Sequence, residues 1–115
     1  MAEITKNQAR ARTRKTREAV EKRAEVLRLT ADELRDEAND LQELAEEMRT
    51  EADYVEPYEG KDELTPAQEE RVDWLNEQAD RLDEQADNLN ERADELEEQA
   101  DNLDEVASEL FEVEC

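Results

Sequence analysis

Five pairs of carboxylates recur at i,i+4 spacing along the second half of the chain: Asp73 and Glu77, Asp80 and Glu84, Asp87 and Glu91, Asp94 and Glu98, Asp101 and Glu105. Carboxylates can move protons, hold divalent cations or present negative charge. Acid-base work needs a pocket that shifts a pKa toward neutrality. Calcium-type binding needs a loop that converges several oxygens on one point. A spacing of three and four does neither, because it lines the groups along one face of a helix. The chemistry left is electrostatic. Like charges four apart oppose a helix by about 0.2 to 0.5 kcal/mol per pair, so five such pairs imply a stripe selected for its charge. One carboxylate every three or four residues sets charges about 5 Å apart along the axis, the scale of phosphate spacing on a nucleic-acid strand.

Other chemistries lack their residues. There is no His, a single Gly and a single Cys, and no Ser in a nucleophile setting. Metal triads, acyl-transfer triads and phosphate-cradling loops are therefore not available. The expectation is a protein that is not an enzyme, takes no cofactor or metal, and acts by touching a partner. Cys115 has no internal disulfide partner. It reads as an incidental terminal residue or a thiol open to intermolecular pairing.

Those carboxylates are positioned by a repeat. Val72, Leu75, Ala79, Leu82, Ala86, Leu89, Ala93, Leu96, Ala100, Leu103, Ala107 and Leu110 alternate spacings of three and four, the 3.5-residue period of a coiled coil with Ala at a and Leu at d. Asp occupies b from Asp73 to Asp101, and Glu occupies f from Glu70 to Glu105. An earlier segment keeps the same rule, with Ala24, Ala31, Ala38, Ala45 and Ala52 at a and Val20, Leu27, Leu34, Leu41 and Met48 at d. Between them Pro57 disfavours helix at Glu56, Gly60 permits a reversal, and Thr65-Pro66-Ala67-Gln68 forms an N-cap, a proline at N1 and a capping-box partner. The predicted fold is all-α: a two-helix antiparallel coiled-coil hairpin, with pairing of two hairpins into a four-helix bundle as an option. Residues 1–19 read as a basic arm or helix start, 20–54 as the first helix, 55–65 as the turn and 66–112 as the second helix, in a single domain. Each helix would run to about 45 residues, about 65 to 70 Å.

Facing residue numbers that sum to 120 place the reversal at Gly60 and set Ala against Leu in nearly every layer. Sums of 113 and 127 keep the heptad phase and move the reversal to Glu56/Pro57 or Glu63/Leu64. The sum of 120 also brings Arg35 near Asp83, Arg49 near Glu69, Arg71 near Glu51 and Arg14 near Asp104, with Glu21 beside Glu97 as a like pair. It is the expected alignment. In it the seam fails at Arg17, Thr13, Arg10 and Lys6, opposite Leu103, Ala107, Leu110 and Glu114. An aliphatic strip including Leu103, Leu110 and Phe111 is then unmatched beside the basic residues Arg10, Arg14 and Arg17. The strip is either a docking end or a surface that the basic arm folds over. Val26 and Leu29, off the seam and one turn apart, suit a small dimer or partner contact, and Trp74 reads as ordinary surface exposure.

Charge is uneven. Residues 1–28 hold nine Lys/Arg against four Asp/Glu, and residues 29–115 hold six against thirty-three. Such a surface repels nucleic acid and anionic membranes and favours basic proteins. No stretch approaches the roughly 20 apolar residues of a membrane span, and the N-terminus lacks the apolar core of a secretory signal. The expected location is cytoplasmic, in a host cell if the protein is viral. Two functional readings follow. One is an inhibitor that mimics nucleic-acid charge and occupies the basic surface of a nucleic-acid-binding protein, as a viral anti-defence protein would. The other is a structural or adaptor coiled coil in a viral particle or chromosome-associated complex, its acidity reflecting a solvated or halophilic surface. No family resemblance stands behind either reading.

Overall fold

The computed structural model describes residues 3–114 of the 115-residue chain. Cys115, and with it the question of a free thiol, lies outside them. The described residues form two α-helices, α1 (Lys6–Asp53) and α2 (Pro66–Glu114), joined by a non-helical linker. The two helices pack antiparallel as a coiled-coil hairpin.

Both helices open with the same device. The Gln8 amide donates to Thr5 Oγ1 at 3.1 Å while the Thr5 amide donates to Gln8 Oε1 at 2.9 Å. Thr65 and Gln68 repeat this geometry, at 3.1 and 2.9 Å. Each box satisfies two amides that have no partner inside the helix. The second box was legible from Pro66 and its neighbours. The first carries the same Thr-x-x-Gln spacing and starts α1 at Lys6, so residues 6–19 are helix.

The linker reverses at Tyr58–Lys61, where the Lys61 amide donates to the Tyr58 carbonyl at 2.9 Å. Gly60, at φ +82°, takes the position that requires a positive φ. The reversal does not set the alignment of the helices, because the linker folds back along the start of α2. Gln68 Nε2 donates to the Glu56 carbonyl at 2.9 Å, and Val55, Leu64 and Val72 are each half-buried.

The pair divides into two compact units: a turn-end unit, Leu34–Glu91, and a terminal unit, Met1–Glu33 with Arg92–Cys115. In each the seam is made of the expected residues. Ala38, Ala45, Ala79 and Ala86 are fully buried in the first, with Ala52 and Leu75 nearly so. Ala24, Ala31, Ala93 and Ala100 are fully buried in the second, with Leu96 and Ala107 close behind. Every residue buried as a whole among those described is hydrophobic.

The alignment differs from the expected one by a heptad. Arg49 reaches Asp80 and Asp83, both at 2.7 Å, rather than Glu69. Arg28 holds Asp101 at 2.9 Å and also binds Asp104, the residue expected beside Arg14. Arg14 instead meets Glu114 at 3.2 Å, and Glu21 pairs with Arg17 at 2.8 Å. Arg71 and Glu51 do meet, as either alignment allows. Together these fix facing numbers that sum to 127, not 120. The turn-end layers are then Ala52 with Leu75, Met48 with Ala79, Ala45 with Leu82, Leu41 with Ala86 and Ala38 with Leu89. The terminal layers are Ala31 with Leu96, Leu27 with Ala100, Ala24 with Leu103 and Val20 with Ala107. The physical reason is burial: this sum gives Ala52, Leu103 and Ala107 apolar partners that the sum of 120 denies them. Among the described residues no helix is long and apolar enough to cross a membrane.

Candidate functional site

All ten carboxylates of the predicted stripe are exposed, but they fall into two groups. Some take part in holding the helices together. Position e of α1 carries arginines whose guanidinium groups reach across the seam: Arg49 spans Asp80 and Asp83, and Arg28 spans Asp101 and Asp104. Their neighbours raise both arginines above the usual guanidinium range, through hydrogen bonds to Asp80 and then Asp83 for Arg49, and to Asp104 and then Asp101 for Arg28. Asp80 and Asp101 remain about three-quarters exposed even so, at 77% and 76%. Glu77 pairs along its own helix with Arg81 at 3.0 Å.

Six others meet no cation among the described residues. Asp73, Glu84, Asp87 and Glu91 in the turn-end unit, and Glu98 and Glu105 in the terminal unit, form no ion pair with any described residue. The f position faces away from the seam, and α1 has no side chain that reaches it. No group of three or more carboxylates among the described residues converges as a metal site.

Trp74 belongs to this face, a placement that its heptad position alone did not reveal. It is half-exposed and lines a shallow groove with Pro66, Glu69, Glu70, Asp73 and Glu77. An indole face bordered by carboxylates suits a guanidinium or ammonium group. The signal in the sequence was its position between Asp73 and Glu77.

Of the aliphatic strip at the terminal end, Val106 and Phe111 are exposed, Leu103 and Leu110 half-buried and Ala107 buried. Leu103 now stands opposite Ala24, and Ala107 opposite Val20, so the unmatched residues shrink to the last turns of α2. Leu110, opposite Arg17, is half-buried, and Phe111 is half-exposed with the Arg17 guanidinium 5.5 Å from its ring centre. The Glu114 side chain is only 6% exposed and accepts from both Arg17 and Arg14. Hydrogen bonding to Arg17 first, and to Arg14 as well, holds its carboxyl below the ordinary carboxylate range against the opposing effect of burial. Arg17 in turn is pushed up, by Glu114 first and then by Glu21. Arg10 is half-buried and forms no ion pair with a described residue. Arg14 and Arg17 thus close on Glu114, and Arg17 also lies over the Phe111 ring.

Comparison with protein-family models, with curated proteins and with solved structures finds no match to this chain.

Proposed function

We propose that this protein is a non-enzymatic acidic binding protein whose α2 outer face occupies the basic, nucleic-acid-binding surface of another protein, as an inhibitor that mimics nucleic-acid charge. The observation that carries the reading is the uncompensated segment Glu84, Asp87 and Glu91, exposed and without a cation, beside carboxylates that are already bridged by Arg49. A purely structural stripe would be expected to recruit the available arginines. This one leaves Glu84, Glu91, Glu98 and Glu105 of its f row without an ion pair to a described residue. Trp74 supplies an aromatic anchor at one end, of the kind that contributes heavily to protein interfaces.

The test is competition. The captured partner should release DNA or RNA when this protein is added, and the complex should weaken steeply with salt, since at about 1 M the Debye length falls to about 3 Å. Reversal of Glu84, Asp87 and Glu91 to Lys should abolish the competition while helicity is kept. A complex unchanged at high salt, or unaffected by the reversal, would exclude the mimic.

A second reading, a structural or adaptor coiled coil, is favoured by Val26 and Leu29, which are 53% and 56% exposed on α1. It predicts binding that depends on those two residues and ignores the charge reversal on α2.

A further inference from the structure

The face of α1 opposite the seam carries a second pattern. Positions c and f of the heptad lie directly away from a and d, and from Arg12 onward they hold Arg12, Lys15, Ala19, Lys22, Val26 and Leu29. Their spacings alternate four and three, so this is a second seam with the same period as the buried one. Val26 and Leu29 are both more than half exposed. Lys22 and Glu33 flank them, both exposed and neither in an ion pair with a described residue.

The pattern is complementary to itself. If a second α1 lies antiparallel on this face, with facing numbers that sum to 55, Val26 of each copy meets Leu29 of the other, and Lys22 of each meets Glu33 of the other. Each contact sets a c residue against an f residue, as the buried seam sets a against d. Farther out in the sequence the same rule opposes Lys15 to Asp40 and Arg12 to Glu43, so every cation on the seam meets a carboxylate. A parallel arrangement would stack lysine on lysine. An isologous interface requires this reciprocity, since each residue must suit the residue that its own symmetry mate presents.

We propose that a second copy of this chain docks on the c/f face of α1, antiparallel and two-fold symmetric, with Val26 and Leu29 as its apolar centre and the reciprocal Lys22–Glu33 pairs as its register key. This goes beyond the acidic-face reading and is independent of it. The α2 faces stay outside the pair, so a dimer would display two of them.

Sedimentation equilibrium on the full chain, with no partner present, tests the proposal. The wild-type protein should dimerise below about 100 μM. Leu29→Glu should weaken the dimer by at least about tenfold with helicity unchanged. Lys22→Glu and Glu33→Lys should each weaken it as well, because each places like charges across the interface. An equimolar mixture of those two variants should dimerise as the wild type does, since every Glu then meets a Lys. That rescue also shows that both variants are folded. A wild-type chain that stays monomeric at 100 μM, which would leave the face to a foreign partner, overturns the proposal. So does a Leu29→Glu dimer of wild-type strength, or a mixture that associates no better than its components. None of these outcomes bears on competition with nucleic acid, so the two readings fail separately.

Discussion

The turn-end unit and the terminal unit use the same repeat and finish it differently. From Ala38 to Ala52 and from Leu75 to Leu89 the seam is apolar in every layer, and arginine acts only at its edge. In the terminal unit the seam runs outward from Ala31 and Leu96 to Val20 and Ala107, then meets Arg17, Thr13 and Glu114. There the core positions themselves carry charge, and a shielded carboxylate between two guanidinium groups takes the place of a leucine. Hydrophobic burial is indifferent to salt and acid over the ordinary range, whereas an ion pair at the end of a helix pair is sensitive to both. The two units therefore differ in how much of the seam itself responds to salt and acid.

Leucine truncation separates them most widely. Leu75→Ala removes a side chain that is 2% exposed and should destabilise the protein by about 2 to 4 kcal/mol. Leu110→Ala, at a half-buried site opposite Arg17, should have an effect under about 1 kcal/mol. Urea unfolding followed by circular dichroism measures both, and equal losses would erase the distinction between the units.

The paired capping boxes come next. Thr65→Ala should lower global stability by about 1 kcal/mol, because the start of α2 is tied to the linker through Gln68 and Glu56. Thr5→Ala removes an identical cap, yet should only fray the first turns of α1, visible as faster amide exchange over residues 6–13 with an unchanged unfolding midpoint. Gly60→Ala meets no neighbouring atom within 4 Å. Its effect, about 1 kcal/mol, should come from the positive φ alone.

Acid sharpens the contrast with the least energy. The Glu114 carboxyl is lowered in the folded protein, so its contribution is present above the unfolded carboxylate pKa of about 4.3 and is lost as pH falls through the folded value. Amide exchange should thus quicken around Arg14 and Glu114 as the pH falls, before residues 34–91 loosen. Glu114→Gln should reproduce this effect at neutral pH and leave residues 34–91 untouched. Uniform loosening in acid would contradict this assignment.

Much of the architecture was legible in the residues. The heptad phase, the Thr65–Gln68 box and the turn at Gly60 followed from spacing and backbone preference. The alignment did not, because Ala against Leu is restored by every shift of seven in the sum, so layer volume does not distinguish 120 from 127. What distinguishes them is the ends: only the larger sum gives Ala52, Leu103 and Ala107 their partners. Placing the reversal symmetrically on Gly60 concealed this, since the linker doubles back along α2 rather than closing by the shortest route. The stripe itself was legible residue by residue. Which of its members Arg28 and Arg49 would bridge depended on the alignment, and so did the closure of Arg14 and Arg17 over Glu114.

Glu114 has a consequence beyond local stability. A seam that repeats every seven residues resembles a ruler with identical graduations, on which one setting fits nearly as well as the next. The numerals are supplied where the repeat is broken: the amide of Gln68 on the Glu56 carbonyl near the turn, and the Glu114 carboxylate clasped by Arg17 and Arg14 near the termini. Two irregularities, one in each unit, thus index an otherwise periodic scale and keep the helices from slipping a notch.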